Sequence, residues 1–314
     1  MVTKILLCIF MISSISGCPE NPEPPCTCRM IGNHASIITC IDVNNEIELE
    51  KSMQSMRSSV VPIRTVEIFD SNLNYLPSKL FHGLRVPKLF LAGSSMVSLT
   101  DSDIAFVGLE DSLEILQVTE CNLFAGWSWS PLQNLKALTE VRLTKTGPVD
   151  VDDDINYIAD SNVENLFLTQ NSITYLHDTA FAKFNKLNTL SLKMNAIKVL
   201  KRSMFPDPAL QLDQLILSYT ELEHLPNDIF SNMPKLRVIS LAGNKILSLD
   251  QTTFTPVWNQ LIKVDLRENP LRCDCRMTWL LTLKFPRNTW AQCDEPKQLK
   301  GKDLQKLTRN ELWC

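Results

Sequence analysis

Cysteine is the residue type in this chain whose number and spacing most clearly indicate chemistry. Ten cysteines are present, and eight of them form two groups of four, one near each end of the sequence. Each group contains a Cys-x-Cys pair, which fits either two disulfide bonds or a zinc site. Four cysteines allow three disulfide pairings, and the spacing does not choose between them. The groups are Cys18, Cys26, Cys28 and Cys40, and Cys273, Cys275, Cys293 and Cys314.

The first residues of the chain favour disulfides over zinc. Lys4 precedes an apolar run from Ile5 to Ile12, and the small residues after it predict a cleaved signal peptide over residues 1–17. Such a signal implies an oxidising compartment, where thiols are not kept reduced. His34 is also the only imidazole near the first group. The alternative interpretation of "ISGC", a bacterial lipoprotein signal, would acylate Cys18 and remove it from a disulfide.

The other residue types that do chemistry show no catalytic or metal-binding pattern. No histidine lies in an HExxH helix or beside a nucleophile elbow or phosphate loop. The acidic run "DVDDD" at 150–154 is not an EF-hand, because Ile155 and Ser161 occupy the positions of the required Gly and Glu. We expect a solvated acidic loop, no metal, no cofactor and no enzymatic activity. The four histidines are His34, His82, His177 and His224.

Net charge and hydropathy argue against a nucleic-acid-binding protein and against a membrane protein. The formal net charge of −4 gives no general attraction to nucleic acid. No stretch after the signal is apolar for the roughly 20 residues that a membrane-spanning helix needs. The last residues, "NELWC", do not form a hydrophobic tail for a lipid anchor. We expect a secreted extracellular protein without a membrane anchor.

The segments that must position these cysteines form a repeat. "LRVISLAGNKI", residues 236–246, has the pattern LxxLxLxxNxL, and nine such registers occur at intervals of 23 to 27 residues. Of the 36 apolar positions, 35 are filled by apolar residues, and Pro148 is the exception. The two inner positions of LxL point inward from a short strand, and each turn buries them against its neighbours. The registers begin at Ile63, Val86, Leu113, Leu138, Val163, Leu187, Leu212, Leu236 and Leu261.

The ninth position of each register holds a small residue that can bond the backbone where the chain turns inside the stack. Buried backbone groups need such partners. Cys121 occupies this position, so we expect a buried small side chain and not a reactive thiol. The nine residues are Ser71, Ser94, Cys121, Thr146, Asn171, Asn195, Thr220, Asn244 and Asn269.

The chain resembles the leucine-rich-repeat family over residues 63–271. Several repeats continue with Leu or Ile and then Phe, as Leu249 and Phe254 do, which resembles the extracellular class; the segment 123–160 departs from this continuation. The resemblance implies an α/β right-handed solenoid with a curved parallel sheet on its concave side. It also implies disulfide-bonded caps over 18–62 and 272–314. The pairs that it implies are Cys18–Cys28, Cys26–Cys40, Cys273–Cys293 and Cys275–Cys314.

The exposed positions of the strands are the expected binding surface of such a solenoid. Two groups of large apolar residues fall at or beside these positions and predict contacts with a partner. Ordinary scatter of apolar residues over the surface is the alternative. The larger group contains Phe167, Met194, Ile216 and Tyr219, and the smaller one contains Phe69 and Phe90.

The expected role is non-enzymatic binding of an extracellular protein through the concave face. With its "PPCTC" and "NPLRCDC" caps, the chain resembles secreted arthropod leucine-rich-repeat proteins of the type of the Oplophorus-luciferin 2-monooxygenase non-catalytic subunit. That resemblance implies a carrier or stabilising subunit with no catalytic residues. The alternative is a matrix, adhesion or immune-recognition protein that binds surfaces or glycans, as a monomer or a homodimer.

Overall fold

The computed structural model describes residues 17–19, 21–147 and 149–314, so the expected signal peptide lies outside the described residues apart from Gly17. The secondary structure is dominated by short strands. They are β1 Cys26–Ile31, β2 Ala35–Ile41, β3 Ile63–Phe69, β4 Lys88–Ala92, β5 Ser95–Met96, β6 Ile115–Thr119, β7 Asn122–Leu123, β8 Glu140–Thr144, β9 Asn165–Thr169, β10 Thr189–Ser191, β11 Gln214–Ile216, β12 Val238–Ser240, β13 Lys263–Asp265 and β14 Asn288–Trp290.

Helical segments are few and short. The α-helices are α1 Glu46–Ser55 and α2 Gln251–Trp258. In α1 the Asn45 side chain caps the first turn by accepting from the backbone N–H groups of Ile47 and Glu48. The 3₁₀ helices are Met56–Ser58, Ser130–Leu132, Asp153–Ile158, Arg202–Met204, Cys275–Thr282, Lys297–Leu299, Leu304–Lys306 and Arg309–Glu311.

One sheet of 12 strands runs the length of the described chain, in the order β1-β2-β3-β4-β6-β8-β9-β10-β11-β12-β13-β14. Each of the nine registers contributes one strand, and neighbouring strands from β2 to β14 are parallel. β1 is antiparallel to β2. The sheet therefore continues past the repeats at both ends, through β2 on one side and β14 on the other. The predicted solenoid with a parallel sheet is confirmed.

The core lies behind this sheet and is built from the predicted apolar positions. Leu166 and Leu168 of β9 are fully buried, and the alternate residues face outward. On the far side of the stack, Phe181 and Phe205 are buried with ring centroids 6.3 Å apart. Where the Phe is missing, Trp129 is fully buried and donates to the Asp150 carbonyl at 3.1 Å. In the third repeat, the side chain of Trp129 therefore fills the core in place of the expected Phe.

The small residues of the ninth position satisfy backbone groups inside the stack. Asn244 Nδ2 donates to the carbonyls of Leu217 and Leu241 at 2.8 and 2.9 Å, and its Oδ1 accepts from the Leu222 N–H at 3.1 Å. Asn195 makes the corresponding bonds to the carbonyls of Leu168 and Leu192. Each Asn therefore links its own turn of the solenoid to the preceding one.

The residue just before this position has a left-handed backbone in every repeat. Its φ is positive at all nine positions, including Gly93 and Gly243. This conformation costs a non-glycine residue roughly 1–2 kcal/mol, so the stack as a whole must enforce it. The seven non-glycine residues are Asp70, Glu120, Lys145, Gln170, Met194, Tyr219 and Glu268.

Candidate functional site

The exposed side of the sheet carries a central column of side chains, one from each strand. Phe167 of β9 is level with Arg142 of β8 and with Ser191 of β10, and Ser191 is level with Ile216 of β11. Phe167 and Ile216 therefore lie two strands apart, about 10 Å, at the strand spacing of a β-sheet. Ser191 between them is small and buried. The column thus has an apolar residue on each side of a shallow gap.

Phe167 is covered by a cation. The Arg142 guanidinium carbon lies 4.0 Å from the centroid of the Phe167 ring. Arg142 Nε also pairs with Glu140 Oε1 at 2.5 Å on the same strand, and Glu140 is the more buried of the two partners. A guanidinium over a ring face is attracted by the ring quadrupole. The ring is half-buried, and a partner that reaches it must contact Arg142 as well.

Met194 and Tyr219 lie in the turn that follows a strand and not on the strand itself. Both have a left-handed backbone, with φ of 58° and 56°, and both side chains are 43% exposed. The Met194 N–H donates to the Ser218 carbonyl at 2.9 Å, so the two turns stack directly on each other. These two residues form a ridge along one border of the face, while Phe167 and Ile216 lie within it.

Tyr219 is held in a fixed orientation. Its hydroxyl donates to Glu268 Oε1 at 3.0 Å, and its ring lies over Gly243, the residue between them in the stack. The hydrogen bond to Glu268 and the negative charge of that carboxylate raise the pKa of Tyr219. Lys193 Nζ is 5.9 Å from the ring centroid. A tyrosine held in this way presents a rigid aromatic surface at low entropic cost.

The smaller predicted group also comes together. The Phe69 and Phe90 rings are 5.3 Å apart and nearly perpendicular, which is a favoured aromatic geometry. Ile41 of β2 is paired with Phe69 in register and is 53% exposed. The apolar group near the N-terminus therefore has a third member. The repeat pattern does not mark Ile41, because this residue precedes the first register.

A further aromatic residue lies at the opposite end of the face. Trp290 of β14 is paired with Asp265 of β13 and is 40% exposed. Lys263 Nζ and the Arg267 guanidinium carbon lie 5.3 and 5.4 Å from its ring. Arg267 is bonded to Asp265 at 2.6 Å. Burial raises the pKa of Asp265, but the hydrogen bonds from Arg267 outweigh it and hold the pKa below its usual value.

Trp290 is not marked by the repeat pattern. It belongs to a strand that the Leu-rich pattern does not mark, since β14 follows the last register and carries the sequence Asn-Thr-Trp. The signal that could have found it is its spacing. Trp290 lies 25 residues after Asp265, which is the repeat length.

The two groups of cysteines form disulfide bonds at the two ends of the chain. The structure pairs Cys18 with Cys28, Cys26 with Cys40, Cys273 with Cys293, and Cys275 with Cys314. Their Cα separations of 4.0 to 5.7 Å suit or lie close to disulfide geometry.

Cys121 is buried and has no disulfide partner. Burial raises the pKa of its thiol, and its sulfur lies 3.5 Å from the Thr119 carbonyl. The thiol therefore stays protonated and unreactive at neutral pH.

The last two residues of the acidic run, Asp153 and Asp154, begin the 3₁₀ helix Asp153–Ile158, which lies beside a cavity of about 460 Å³. Burial raises the pKa of Asp154 in this segment, with Asp152 and Asp150 adding repulsion. Lys136 and Lys183 also line the cavity. Among the described residues, one group of side chains lies close enough together to hold a metal ion: Asp274, Cys275 and Cys314. The sulfur atoms of Cys275 and Cys314 are bonded to each other in a disulfide.

Part of the chain matches a known family of repeats. A family model described as leucine rich repeat matches residues 161–211 and 210–271. The chain is 25% identical over 231 residues to leucine-rich repeat transmembrane protein FLRT2 of Rattus norvegicus, covering 69% of this chain and 34% of that protein. It is 26% identical over 145 residues to Toll-like receptor 9 of Mus musculus, covering 44% and 14%.

A solved structure shows the same architecture. The crystal structure of human 5T4 (Wnt-activated inhibitory factor 1, trophoblast glycoprotein) matches with a TM-score of 0.51 and 19% identity, covering 88% of this chain and 95% of that one. The chain therefore has the leucine-rich-repeat solenoid fold, with disulfide bonds near both of its ends. It spans about a third or less of the length of the first curated relatives that it matches.

The leucine-rich-repeat relatives reported above are named as a receptor and a transmembrane protein, and neither name describes an enzyme. Within residues 17–19, 21–147 and 149–314, no helix has the length and apolar character to cross a bilayer.

Proposed function

We propose that this chain is a secreted, non-enzymatic binding protein whose concave face holds an extracellular protein partner. The carrying observation is an aromatic and aliphatic set whose side chains lie outside the core of the stack: Phe167 and Ile216 are half-buried, and Met194 and Tyr219 are exposed. Apolar groups with Met and aromatic side chains are enriched at the centres of protein interfaces. The caps at 18–62 and 272–314 close the ends of the solenoid and leave this face accessible.

The arrangement of charged and polar side chains around the apolar residues also supports a protein partner. The Arg142–Glu140 pair, the Tyr219–Glu268 bond and the Arg267–Asp265 pair border the apolar residues. Each of these pairs is already satisfied within the chain, so the partner is not required to neutralise a buried charge. An apolar centre with a paired polar rim is the usual anatomy of a stable interface.

The role that we propose for this binding is that of a non-catalytic, stabilising subunit. The resemblance of the two caps to arthropod leucine-rich-repeat proteins of the luciferin-monooxygenase subunit type supports it. In such a role the partner supplies the chemistry, and the solenoid supplies a large rigid surface.

The test is native co-purification from the extracellular fluid of the source, followed by mass spectrometry and determination of stoichiometry. The test variant carries Phe167→Glu and Ile216→Glu together, and the matched control carries Gln117→Glu, a half-exposed residue of the same column. One stoichiometric partner lost in the double variant and kept in the control supports the proposal. A partner kept in both contradicts the assigned face, and the absence of any partner contradicts the subunit role.

The second candidate is a matrix, adhesion or immune-recognition protein that binds surfaces or glycans. The similarity to Toll-like receptor 9 and to a leucine-rich-repeat transmembrane protein favours it. Retention on immobilised matrix or microbial cell-wall material, abolished by the same double variant, would favour this candidate over the subunit role.

A further inference from the structure

The two ends of the solenoid carry opposite net charges. Residues 17–62 contain three Lys and Arg against six Asp and Glu, a net charge of −3. Residues 272–314 contain nine against five, a net charge of +4. The chain as a whole is at −4, so the positive end runs against the overall composition.

Several of these end charges have no opposite partner within the part of the chain that the structure describes. At the acidic end Glu23, Asp42 and Glu48 are exposed and form no ion pair there. At the basic end, Lys300 and Lys306 are paired with carboxylates. Four further exposed cations at this end form no ion pair within the described residues: Lys284, Arg287, Lys297 and Arg309.

Both ends also present apolar surface. At the acidic end Ile31 of β1 and Ile41 of β2 are 41% and 53% exposed. At the basic end Ile262 and Trp290 are 44% and 40% exposed, and Lys263 Nζ lies 5.3 Å from the centroid of the Trp290 ring. The first and last strands of one continuous sheet thus carry apolar side chains within fields of opposite sign.

We propose that the acidic end of one copy binds the basic end of a second copy, and that two such contacts close a two-fold dimer. A two-fold axis makes the two contacts identical, because it places each end of one chain against the other end of its partner. The sheet is curved, so a closed arrangement brings the ends together before the middle of the concave faces. The middle of each face, with Phe167 and Ile216, stays outside the contact.

A second copy fits these observations better than an anionic polymer does. A sulfated glycan would neutralise the basic end alone and leave the acidic end and its exposed isoleucines without a role. A second copy satisfies both ends with the same contact. Charge complementarity of this kind increases the association rate and selects the partner, while the apolar side chains supply the buried centre.

Salt dependence gives the first measurement. Sedimentation velocity on the full chain should show a concentration-dependent dimer whose Kd weakens about tenfold or more from low to high salt, because exposed charges are screened within a Debye length. A monomer up to about 100 μM, well above a micromolar Kd, would overturn the proposal. A series of growing oligomers would overturn the closed two-fold form.

Charge reversal of one end at a time gives the decisive test. The acidic-end variant carries Glu23→Lys and Glu48→Lys, which changes the net charge of that end from −3 to +1. The basic-end variant carries Lys284→Glu, Arg287→Glu and Lys297→Glu, which changes the net charge of that end from +4 to −2. Each variant alone should be monomeric, because like charges then face each other. An equal mixture should recover the dimer, because both contacts of a mixed pair join opposite charges. A mixture that stays monomeric, or single variants that still dimerise, would overturn the proposal.

The same measurement separates this inference from the proposed function. The Phe167→Glu and Ile216→Glu variant should dimerise like the unaltered protein, because neither residue lies at an end. Loss of a partner without loss of the dimer affects the proposed function alone. Loss of the dimer in this variant would show that the middle of the face forms the self-contact, which overturns the end-to-end arrangement.

Discussion

The Tyr219 hydroxyl donates a 3.0 Å hydrogen bond to Glu268 two repeats away, and the tyrosine ring crosses Gly243 to reach it. All three residues occupy the same left-handed turn position of successive repeats. A Cβ atom at Gly243 would lie 2.3 Å from Cδ1 of Tyr219. The absence of a side chain in the eighth repeat therefore allows an aromatic side chain of the seventh to bond the ninth.

Gly243→Ala should break this bond and weaken the fold. The new methyl group displaces the Tyr219 ring, and the φ of +66° costs alanine about 1 kcal/mol. The pKa of Tyr219 should fall back toward its usual value of 10.0, because the Glu268 hydrogen bond that raises it is lost. Titration of selectively labelled tyrosine by NMR measures the shift. Gly147→Ala is the control, since its φ is +88° but no atom lies within 4 Å of the added Cβ; an unchanged Tyr219 pKa in Gly243→Ala contradicts the contact.

Asn244→Ala should destabilise the chain by about 2 kcal/mol, because it leaves the Leu222 N–H group buried without a partner. The carbonyls of Leu217 and Leu241 each lose one hydrogen bond but keep a second, from Thr220 and Asn269. Asn244→Ser should cost less, since Ser71 and Ser94 occupy the same position in the first two repeats and bond the local backbone. Urea unfolding monitored by circular dichroism measures both. Equal losses for the two substitutions would show that the size of the side chain matters there and its hydrogen bonds do not.

Digestion of the unreduced protein with trypsin and Asp-N should link Cys273 to the peptide 288–293, and Cys275 to the peptide 310–314. The enzymes separate all four cysteines of this end, because Arg272, Asp274 and Arg276 flank the first two. A link between Cys273 and Cys314 would contradict the arrangement. Replacing Cys275 and Cys314 by Ser together should lower the free energy of unfolding by about 4 kcal/mol at most, as expected for closure of a long loop.

Acid should weaken the C-terminal end through Glu311. Its carboxylate is bonded to Lys302 and accepts from Thr308 N and Oγ1 at 2.9 and 2.8 Å, which lowers its pKa from 4.5 to about 2. A lowered pKa in the folded state stabilises the protein fully above pH 4.5, and this contribution disappears as the pH falls toward 2. Thermal unfolding of Glu311→Gln should therefore give a lower Tm than the unaltered protein at pH 6. The two Tm values should converge near pH 2, and a constant difference across this range would contradict the assignment.

The repeat positions were predictable because they follow local rules. Leu166 and Leu168 are buried since side chains alternate across a strand, and Asn244 bonds the backbone since the chain must turn inside the stack. Each rule can be applied to the sequence of a single turn of about 25 residues. Repetition over nine turns then makes the pattern unambiguous, which is why the solenoid and its parallel sheet could be predicted.

The binding surface was less predictable because it depends on contacts between turns. Phe167 reads as an exposed aromatic residue, yet Arg142 of the preceding repeat lies over its ring. Met194 and Tyr219 were grouped with the exposed strand positions, and the structure places them in the left-handed turns that follow the strands. Ile41 and Trp290 lie outside the registers, and the sheet includes them because β2 and β14 pair with the terminal repeats.

The repeat, its inward positions and the grouping of the end cysteines are predictable from the amino-acid sequence, because they follow from side-chain alternation and from short spacings along the chain. The folded chain alone shows where the sheet ends, which cation covers Phe167, and that Tyr219 reaches Glu268 across Gly243. These features join residues of different turns, about 25 to 49 positions apart, and depend on register and side-chain direction. Spacing within one turn carries no information about them.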